Sequence, residues 1–448
     1  MVKRKTLAFY GDDFTGSTDA MEALHQYGWR TILFLEPPND DMLELFKDAD
    51  CIGVAGTARA KNRTGMEEEL RPVFERFKVL NPYYVHYKVC STFDSAPDVG
   101  SIGFAGDLAR KYFDKGTYPV LVGAPTLGRY TVFGNHFANF YGTIYRLDQH
   151  PVMSKHPSTP MDEANLKSHL EKQTKQSIGN ITILDMEETA TDSHVLDCEK
   201  DMMIYDALDD KHIAWFGEVL KENKKEDSLF VIGSSGVEYA LGKVLEKENM
   251  GVESKLKPKS DIEEMFVVSG SVSEVTKRQL EEAEQAGFYM IQVPYQLLSE
   301  TELPEEFLNG IVETIRAEKK AILYTAKGTE DPSIQATKEH LVKHGIAKED
   351  IGRLIGKQLG KWTKYIMENM ELKRIVVSGG DTSGFVTSQL GIFGLEVLDS
   401  IAPGAPLCRA YSDDERFNNL EIALKSGQLG GENFFENVFM SGKRRFND

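Results

Sequence analysis

Near the end of the chain, an apolar run breaks into a glycine-rich turn and then an amphipathic stretch: Arg374-Ile375-Val376-Val377-Ser378-Gly379-Gly380-Asp381-Thr382-Ser383-Gly384. A strand that ends in such a turn before a helix gathers unpaired backbone N–H groups at the positive end of a helix dipole, where a phosphate can be held. Gly-Gly after a strand is also an ordinary tight turn. The stretch therefore predicts an α/β unit and leaves the phosphate site as one of two interpretations.

A second turn of this kind lies at the other end of the chain. The predicted strand Thr6–Tyr10 runs into Gly11-Asp12-Asp13-Phe14-Thr15-Gly16, and a helical pattern follows. Ligands of open α/β sheets bind outside the carboxyl ends of strands, so Asp12 and Asp13 are candidate catalytic residues. One carboxylate can hydrogen-bond substrate hydroxyls while the other accepts a proton or binds magnesium. The alternative is that Asp13 or Thr15 only caps the helix.

Short β-rich runs alternate with helical patterns along most of the chain. Such alternation predicts parallel sheets with crossover helices, so the predicted fold class is α/β with mainly parallel sheets. The other predicted strands are Thr31–Leu35, Cys51–Ala55, Tyr83–Val89, Pro119–Val122, Ile181–Leu184, Met202–Tyr205, Leu229–Ile232, Met265–Val268, Tyr289–Val293, Ala321–Thr325 and Ile375–Ser378. The helical segments between them include Gly65–Leu80, His212–Lys221 and Ile351–Asn369.

The length of 448 residues exceeds the size at which one hydrophobic core usually keeps growing, so two domains are expected. The alternating pattern lapses into a polar stretch after Glu248. We therefore predict an N-terminal domain over 1–248, a linker over about 249–264 and a C-terminal domain over 265–448.

The charge balance and the cysteines narrow the class of protein. A formal net charge of −18 repels nucleic acid and anionic membranes, so neither is an expected partner. The four cysteines lie far apart with no CxxC pair, which favours a reduced, cytoplasmic protein. No stretch approaches the roughly 20 apolar residues of a spanning helix.

Further candidate ligands follow the strand Tyr83–Val89. Lys88 closes this strand, and Ser91 and Thr92 follow in a loop of small hydroxyl residues. A lysine beside such donors suits a carboxylate or a phosphate, although an isolated lysine is more often solvated. Arg129 suits bidentate recognition of an acid, and its alternative is a surface arginine in a turn.

The C-terminal half carries two more small-residue loops, Ser269-Gly270-Ser271 and Lys425-Ser426-Gly427. Three such loops in one α/β domain favour a nucleotide site over three unrelated turns, although Ser271 or Ser273 can also be a simple N-cap. The sequence lacks a P-loop motif, a dinucleotide fingerprint after the first strand and a hydrolase nucleophile elbow.

These segments, in this order, resemble the signatures of the four-carbon acid sugar kinase family over almost the full chain. The turn with Asp12 and Asp13, together with Asp19, is similar to the signature of the sugar-binding N-terminal domain. The three later loops are similar to those of the nucleotide-binding C-terminal domain. The resemblance implies ATP- and Mg²⁺-dependent phosphorylation of a small sugar acid such as a tetronate or 3-oxo-tetronate.

The resemblance also implies roles for individual residues. Asp12 or Asp13 would be the catalytic base, and the substrate would contact Asp12 and the following residues: Lys88, Ser91, Thr92 and Arg129. The nucleotide would contact Ser271, Gly379, Gly380, Asp381, Thr382 and Gly427. It identifies no metal ligand.

Two departures from the family pattern stand out. Cys90 lies where many members carry an acid, and an arginine that often follows is missing, which predicts a substrate other than plain erythronate or threonate. Asp381 lies where glutamate is common and preserves the charge.

Other functions remain open from the sequence. A non-catalytic sugar-acid- and nucleotide-binding regulator of the same fold is the main alternative, and a dehydrogenase or aldolase acting on the same acid is a third. The sequence does not fix the oligomeric state, and a homodimer is one option.

Overall fold

The computed structural model describes residues 4–113, 116–156, 158–188, 199–246 and 256–443. The chain divides into two compact units, Met1–Ser254 and Lys255–Asp448. Part of the predicted linker, residues 249–255, lies outside the described residues, so the linker bounds remain a prediction.

The first unit is built around a sheet of parallel strands. Its order is β2-β3-β1-β4-β11-β5-β10-β9, and every neighbouring pair runs parallel. The strands are β1 (Leu7–Gly11), β2 (Thr31–Phe34), β3 (Cys51–Ala55), β4 (Tyr84–Lys88), β5 (Tyr118–Leu121), β9 (Ile178–Ile181), β10 (Met202–Tyr205) and β11 (Leu229–Gly233). The helices are α1 (Phe14–Gln26), α2 (Asp40–Leu45), α3 (Arg63–Leu80), α4 (Ile102–Ala109), α5 (Leu166–Glu171), α6 (Ile183–Glu188), α7 (Asp210–Glu222) and α8 (Gly236–Glu246).

The central strands of this sheet are buried on both faces. Every residue of β1, β4 and β11 is buried; β1 and β11 are continuous apolar runs, as expected for strands covered on both faces, whereas β4 also buries His86 and Lys88. One face packs against α3 and α4 in a core that includes Phe74, Phe77 and Phe230. This packing holds the carboxyl ends of adjacent strands at one edge.

Two features of the first unit differ from the sequence-based prediction. The strand predicted at Ile181–Leu184 is wrong, because β9 ends at Ile181 and α6 begins at Ile183. The sequence prediction also missed a separate antiparallel meander, β6 (Arg129–Val132), β7 (Asn135–Phe140) and β8 (Thr143–Arg146). Arg129 thus begins a strand and does not lie within a turn.

The second unit contains a mixed sheet whose strands lie side by side in the order β13-β14-β12-β15-β18-β17-β16. The strands are β12 (Met265–Ser269), β13 (Tyr289–Gln292), β14 (Lys320–Tyr324), β15 (Arg374–Ser378), β16 (Ile392–Asp399), β17 (Leu407–Ser412) and β18 (Glu421–Lys425). The helices are α9 (Glu274–Gln285), α10 (Glu305–Glu318), α11 (Pro332–Lys343), α12 (Ile351–Glu368), α13 (Gly380–Gln389) and α14 (Phe434–Met440).

The first five strands of this sheet are parallel, as predicted, and β17 and β16 add an antiparallel edge. The sequence prediction missed β16, β17 and β18, which follow one another after α13 without a helix between them. Within the described residues, no helix is long and apolar enough to cross a membrane.

Candidate functional site

Four adjacent strands of the first unit, β3, β1, β4 and β11, end at one edge of the sheet. Asp12 and Asp13 follow β1, Lys88 is the last residue of β4, and Arg59 lies in a short 3-10 helix after β3. The backbone fixes this arrangement, since Asp12 N donates to Lys88 O at 2.9 Å and Arg59 N donates to Asp12 O at 3.0 Å. These charged side chains converge where ligands of open α/β sheets bind.

Arg59 joins the two aspartates through its side chain. Its Nη2 lies 2.6 Å from Asp12 Oδ1, its Nε 3.3 Å from Asp12 Oδ2, and its Nη1 2.8 Å from Asp13 Oδ2. Fork-shaped guanidinium contacts of this kind fix geometry as well as charge. The sequence reasoning missed Arg59, although its position after a buried strand is the signal that singled out Asp12.

The two aspartates differ in environment. Asp12 is 2% exposed, and burial raises its pKa to about 6, with Arg59 opposing that rise. Asp13 is the N-cap of α1, where its Oδ1 accepts from Gly16 N at 2.7 Å. The capping interpretation of Asp13 is therefore confirmed as a contact.

Lys88 is almost fully buried beside the start of α1. Its Nζ lies 3.6 Å from Asp19 Oδ2 and donates to Val89 O at 3.0 Å. Burial raises the pKa of Asp19, and Lys88 acts against that rise. Lys88 thus forms an ion pair with Asp19, and its contact with substrate remains a prediction.

The loop after β4 places polar groups beside Arg59. Thr92 donates its hydroxyl to Asp94 Oδ1 at 2.6 Å and lies 3.0 Å from Cys90 Sγ. Burial acts to raise the pKa of Asp94, but the charge of Arg59 and the Thr92 hydroxyl hold that pKa below its usual range. Burial raises the pKa of the Cys90 thiol to about 11, so Cys90 is neutral here.

Two buried histidines hold this loop at either end. His136 of β7 lies 2.8 Å from the Ser91 carbonyl oxygen through Nε2 and 2.9 Å from Thr131 Oγ1 through Nδ1. His169 of α5 lies 2.8 Å from Ser95 Oγ. Burial lowers the pKa of each imidazole to about 4, so both are neutral near pH 7. Ser91 therefore contributes its backbone to loop positioning.

Arg129 lies at the start of the meander. Its Nη1 donates to the carbonyl oxygens of Leu127, Gly128 and Asn139 at 3.1, 3.3 and 3.4 Å. Burial lowers its pKa, and no carboxylate among the described residues pairs with it. No acidic side chain of the described residues therefore neutralises the positive charge of Arg129.

In the second unit, the three predicted loops come together after the adjacent strands β12, β15 and β18. Gly379, the N-cap of α13, has φ 121°, and a Cβ there would lie 3.1 Å from Thr382 Oγ1 and 3.3 Å from Ser271 N. A Cβ at Gly270 would overlap Thr382 Oγ1, and one at Gly427 would overlap Ser271 Oγ. These close contacts explain why glycine is present at the three positions. They also bring the three loops together into one cradle, defined here as residues 269–273, 378–382 and 425–428.

Hydroxyl groups line this cradle. Ser273 is the N-cap of α9 and also donates to the Gly427 carbonyl oxygen, while Ser271 Oγ lies 2.9 Å from Thr276 Oγ1. Gly380 has open space where a Cβ would lie, and Asp381 is exposed in the first turn of α13. The cradle thus offers two helix N-termini, α9 and α13, of the type that bind anions.

Lys425 lies at the base of the cradle and was absent from the predicted contacts. It is 2% exposed, and its Nζ donates to Ser378 Oγ at 3.1 Å and to Thr276 Oγ1 at 3.4 Å. Burial lowers its pKa to about 7. Its position directly before Ser426-Gly427 was a signal that the sequence reasoning used only for the glycine.

The described residues contain no group of three or more His, Cys, Asp or Glu side chains that could hold a metal ion. Magnesium in phosphoryl-transfer sites is commonly bound by one or two carboxylates together with substrate phosphates. The exposed carboxylate of Asp381, beside the cradle, fits that minimal donor set.

Comparison with known proteins defines the class. A model described as a sugar-binding N-terminal domain matches residues 7–241, and one described as a nucleotide-binding C-terminal domain matches residues 266–435. The chain therefore combines a sugar-binding N-terminal domain with a nucleotide-binding C-terminal domain.

Curated relatives identify the family. The chain is 39% identical to 3-oxo-isoapionate kinase of Paraburkholderia graminis, over 96% of this chain and 93% of that protein. It is 27% identical to 3-oxo-tetronate kinase of Haemophilus influenzae, over 96% and 98%. The chain belongs to the four-carbon acid sugar kinase family.

Solved structures agree on the fold. A protein from Salmonella typhimurium LT2 matches with a TM-score of 0.79 and 24% identity, covering 96% of this chain and 98% of that one. A Haemophilus influenzae protein of the family DUF1537 matches with a TM-score of 0.75 and 23% identity, over the same shares of the two chains.

Proposed function

We propose that this protein transfers the terminal phosphoryl group of Mg-ATP to a hydroxyl group of a 3-oxo sugar acid. The observation that supports nucleotide binding is the cradle. Its three glycine loops surround a buried lysine, Lys425, that pairs with no carboxylate among the described residues. Phosphoryl transfer needs mainly positioning and charge neutralisation, and the cradle residues suit both.

The substrate half of the proposal concerns the first unit. Two arginines, Arg59 and Arg129, lie near the Cys90 loop, and the carboxylate and hydroxyls of a sugar acid are suitable partners for them. The neutral thiol of Cys90 makes this pocket less charged than one with an acid at that position. Relatives named for 3-oxo-isoapionate and 3-oxo-tetronate support a 3-oxo acid over plain erythronate or threonate.

We assign the base to Asp12. A general base works best when its pKa lies near the operating pH, and burial brings the pKa of Asp12 to about 6. Arg59 would orient this carboxylate through its two contacts, and Asp13 would hold the helix start and Arg59. Thr92 remains a proposed substrate contact, as do Lys88 and Ser91.

The nucleotide contacts follow from the cradle. The backbone of Gly379 and Gly380, together with Ser271, Thr382 and Gly427, would surround the phosphates. Asp381 would supply a carboxylate to the magnesium ion that accompanies ATP. Magnesium, when bound, neutralises phosphate charge during the transfer.

The test is a phosphorylation screen that reads ADP release. Freshly generated 3-oxo-isoapionate and 3-oxo-tetronate are compared with erythronate and threonate, with ATP and with and without Mg²⁺. We expect the highest kcat/KM for a 3-oxo acid and no turnover without a divalent cation. Best turnover on erythronate or threonate would contradict the substrate class. If none of the acids led to ADP release, the proposed function itself would be contradicted.

A further inference from the structure

Lys425 is a buried lysine whose hydrogen-bond partners are neutral hydroxyl groups. Among the described residues, its Nζ hydrogen-bonds to the hydroxyls of Ser378 and Thr276 and lies 5.9 Å from the centre of the Phe434 ring. Taking an ammonium group out of water without a counter-ion is costly. A fold that keeps such a group at the end of β18 is organised to receive an anion there.

Hydroxyl contacts connect Lys425 to the cradle. Thr276 Oγ1, which accepts from Lys425, lies 2.9 Å from Ser271 Oγ and 3.1 Å from the Gly427 carbonyl oxygen. Ser271 and Gly427 belong to two of the three glycine loops. A single hydroxyl group, that of Thr276, therefore connects the Lys425 amine to the groups that would surround phosphate.

The charged side chains on the neighbouring elements do not pair with Lys425. On α9, Glu274 accepts from the Thr329 hydroxyl at 2.9 Å, and Arg278 lies 3.3 Å from Glu432. Lys277 pairs with Glu274 at 3.8 Å, and Asp381 of α13 is exposed. Burial lowers the Lys425 pKa.

We infer that Lys425 neutralises the phosphates of the bound nucleotide from beneath the cradle, and that it takes up a proton from solvent when the nucleotide binds. In this step the neutral amine becomes an ammonium ion, and no bond of the nucleotide forms or breaks. The inference rests on the proposed nucleotide site and adds to it a charge-neutralising residue and a proton uptake.

The direction of the pH effect follows from linkage. A lysine with a pKa of about 7 is mostly neutral at pH 8, and an adjacent phosphate raises that pKa again. Binding at pH 8 therefore takes up a proton, and nucleotide affinity falls as the pH rises above about 7. Well below pH 7, Lys425 is already protonated in the free protein, so nucleotide binding takes up no proton at this residue.

Isothermal titration calorimetry with ADP and EDTA at pH 8 tests this inference. Measurements in Tris and in Hepes, which differ in ionisation enthalpy, give the protons taken up per ADP. We expect roughly 0.5–0.9 proton for the wild type. Lys425→Met should abolish this uptake and weaken ADP binding at least tenfold, and Lys425→Arg should restore binding without proton uptake because guanidinium stays charged.

Lys320→Met is the matched control, since Lys320 begins β14 at the opposite end of a strand in the same sheet and should leave uptake and affinity unchanged. Thermal unfolding checks that Lys425→Met is folded, and we expect its melting temperature to be at least that of the wild type. Wild-type binding without proton uptake, or unchanged uptake and affinity in Lys425→Met, would overturn the inference alone. A folded wild type that binds no ADP would overturn the proposed function as well.

Discussion

At the scale of single residues, Asp12 and Asp13 are adjacent in sequence but have different surroundings. Asp12 is buried and contacts Arg59 through both oxygens, whereas Asp13 divides its two oxygens between Arg59 and the first turn of α1. The burial of Asp12 raises its pKa, whereas Asp13, whose side chain is 31% exposed, caps α1. The two residues should therefore respond differently to the same substitution.

We predict that Asp12→Asn lowers kcat by about 10²–10⁴-fold and leaves ADP affinity unchanged, because the amide cannot accept the proton. Asp13→Asn should keep most of the turnover, since asparagine is as good an N-cap as aspartate. Asp13→Ala should lose about 1 kcal/mol of stability. Steady-state kinetics and urea unfolding measure these effects, and a collapse of kcat in Asp13→Asn but not in Asp12→Asn would assign the base to Asp13.

At the scale of elements, the strand–turn–helix unit of β15 and α13 separates two roles of its glycines. Gly379 has a positive φ that L-residues rarely adopt, whereas Gly380 is the first residue of α13 and faces open space. The Gly-Gly pair predicted both features, but the sequence did not assign them to one residue or the other.

We predict that Gly379→Ala destabilises the protein by about 1–3 kcal/mol, because alanine is strained at this φ. Gly380→Val should leave the protein folded within about 1 kcal/mol and abolish ADP-induced thermal stabilisation, because the new side chain fills the space over the cradle. Thermal unfolding with and without ADP measures both. Undiminished ADP stabilisation in Gly380→Val would remove this turn from the nucleotide site.

The contact between the meander and the Cys90 loop is a second property of elements. His136 is fully buried, and burial lowers its pKa to about 4, below the value of about 6.5 for an unfolded chain. A histidine held neutral stabilises the fold fully above pH 6.5, and this stability is lost as the pH falls toward 4. The loop that carries Thr92 and Asp94 should therefore loosen in acid.

We predict that wild-type stability falls between pH 7 and pH 4.5 by about 2 kcal/mol more than the stability of His136→Gln, whose amide can still donate to Ser91 O. Urea unfolding at the two pH values measures the difference. His344→Gln, at an exposed histidine of the second unit, is the control and should follow the wild type. Equal pH dependence in the wild type and His136→Gln would contradict a neutral, buried His136.

At the scale of the molecule, the second unit is held at the amino ends of its strands by one buried ion pair. Arg374 contacts Glu421 through Nη2 at 2.5 Å and donates to the carbonyl oxygens of Val438, Ser441 and Lys259. The pair thus connects two strands with the start and the end of the second unit. It lies at the opposite edge of the sheet from the cradle.

We predict that Arg374→Met lowers the free energy of unfolding of the second unit by about 3–5 kcal/mol, because Glu421 stays buried without its partner. The double variant Arg374→Met, Glu421→Gln should recover part of this loss. Fluorescence of the buried Trp362, with Trp29 and Trp215 replaced by Phe, reports this unit separately. A shift below about 1 kcal/mol in Arg374→Met would show that the ion pair does not hold the unit together.

The sequence by itself determined the α/β class, the mainly parallel sheets, the three glycine loops and the family, because local periodicity and ordered motifs are properties of neighbouring residues. It did not determine β16–β18 or the start of α6, where short apolar runs do not distinguish strand from helix. Only the tertiary structure brought Arg59 to Asp12 and buried Lys425 beneath the cradle. Both depend on which strands lie side by side, since strand order sets which chain ends meet and how much water remains around each charge.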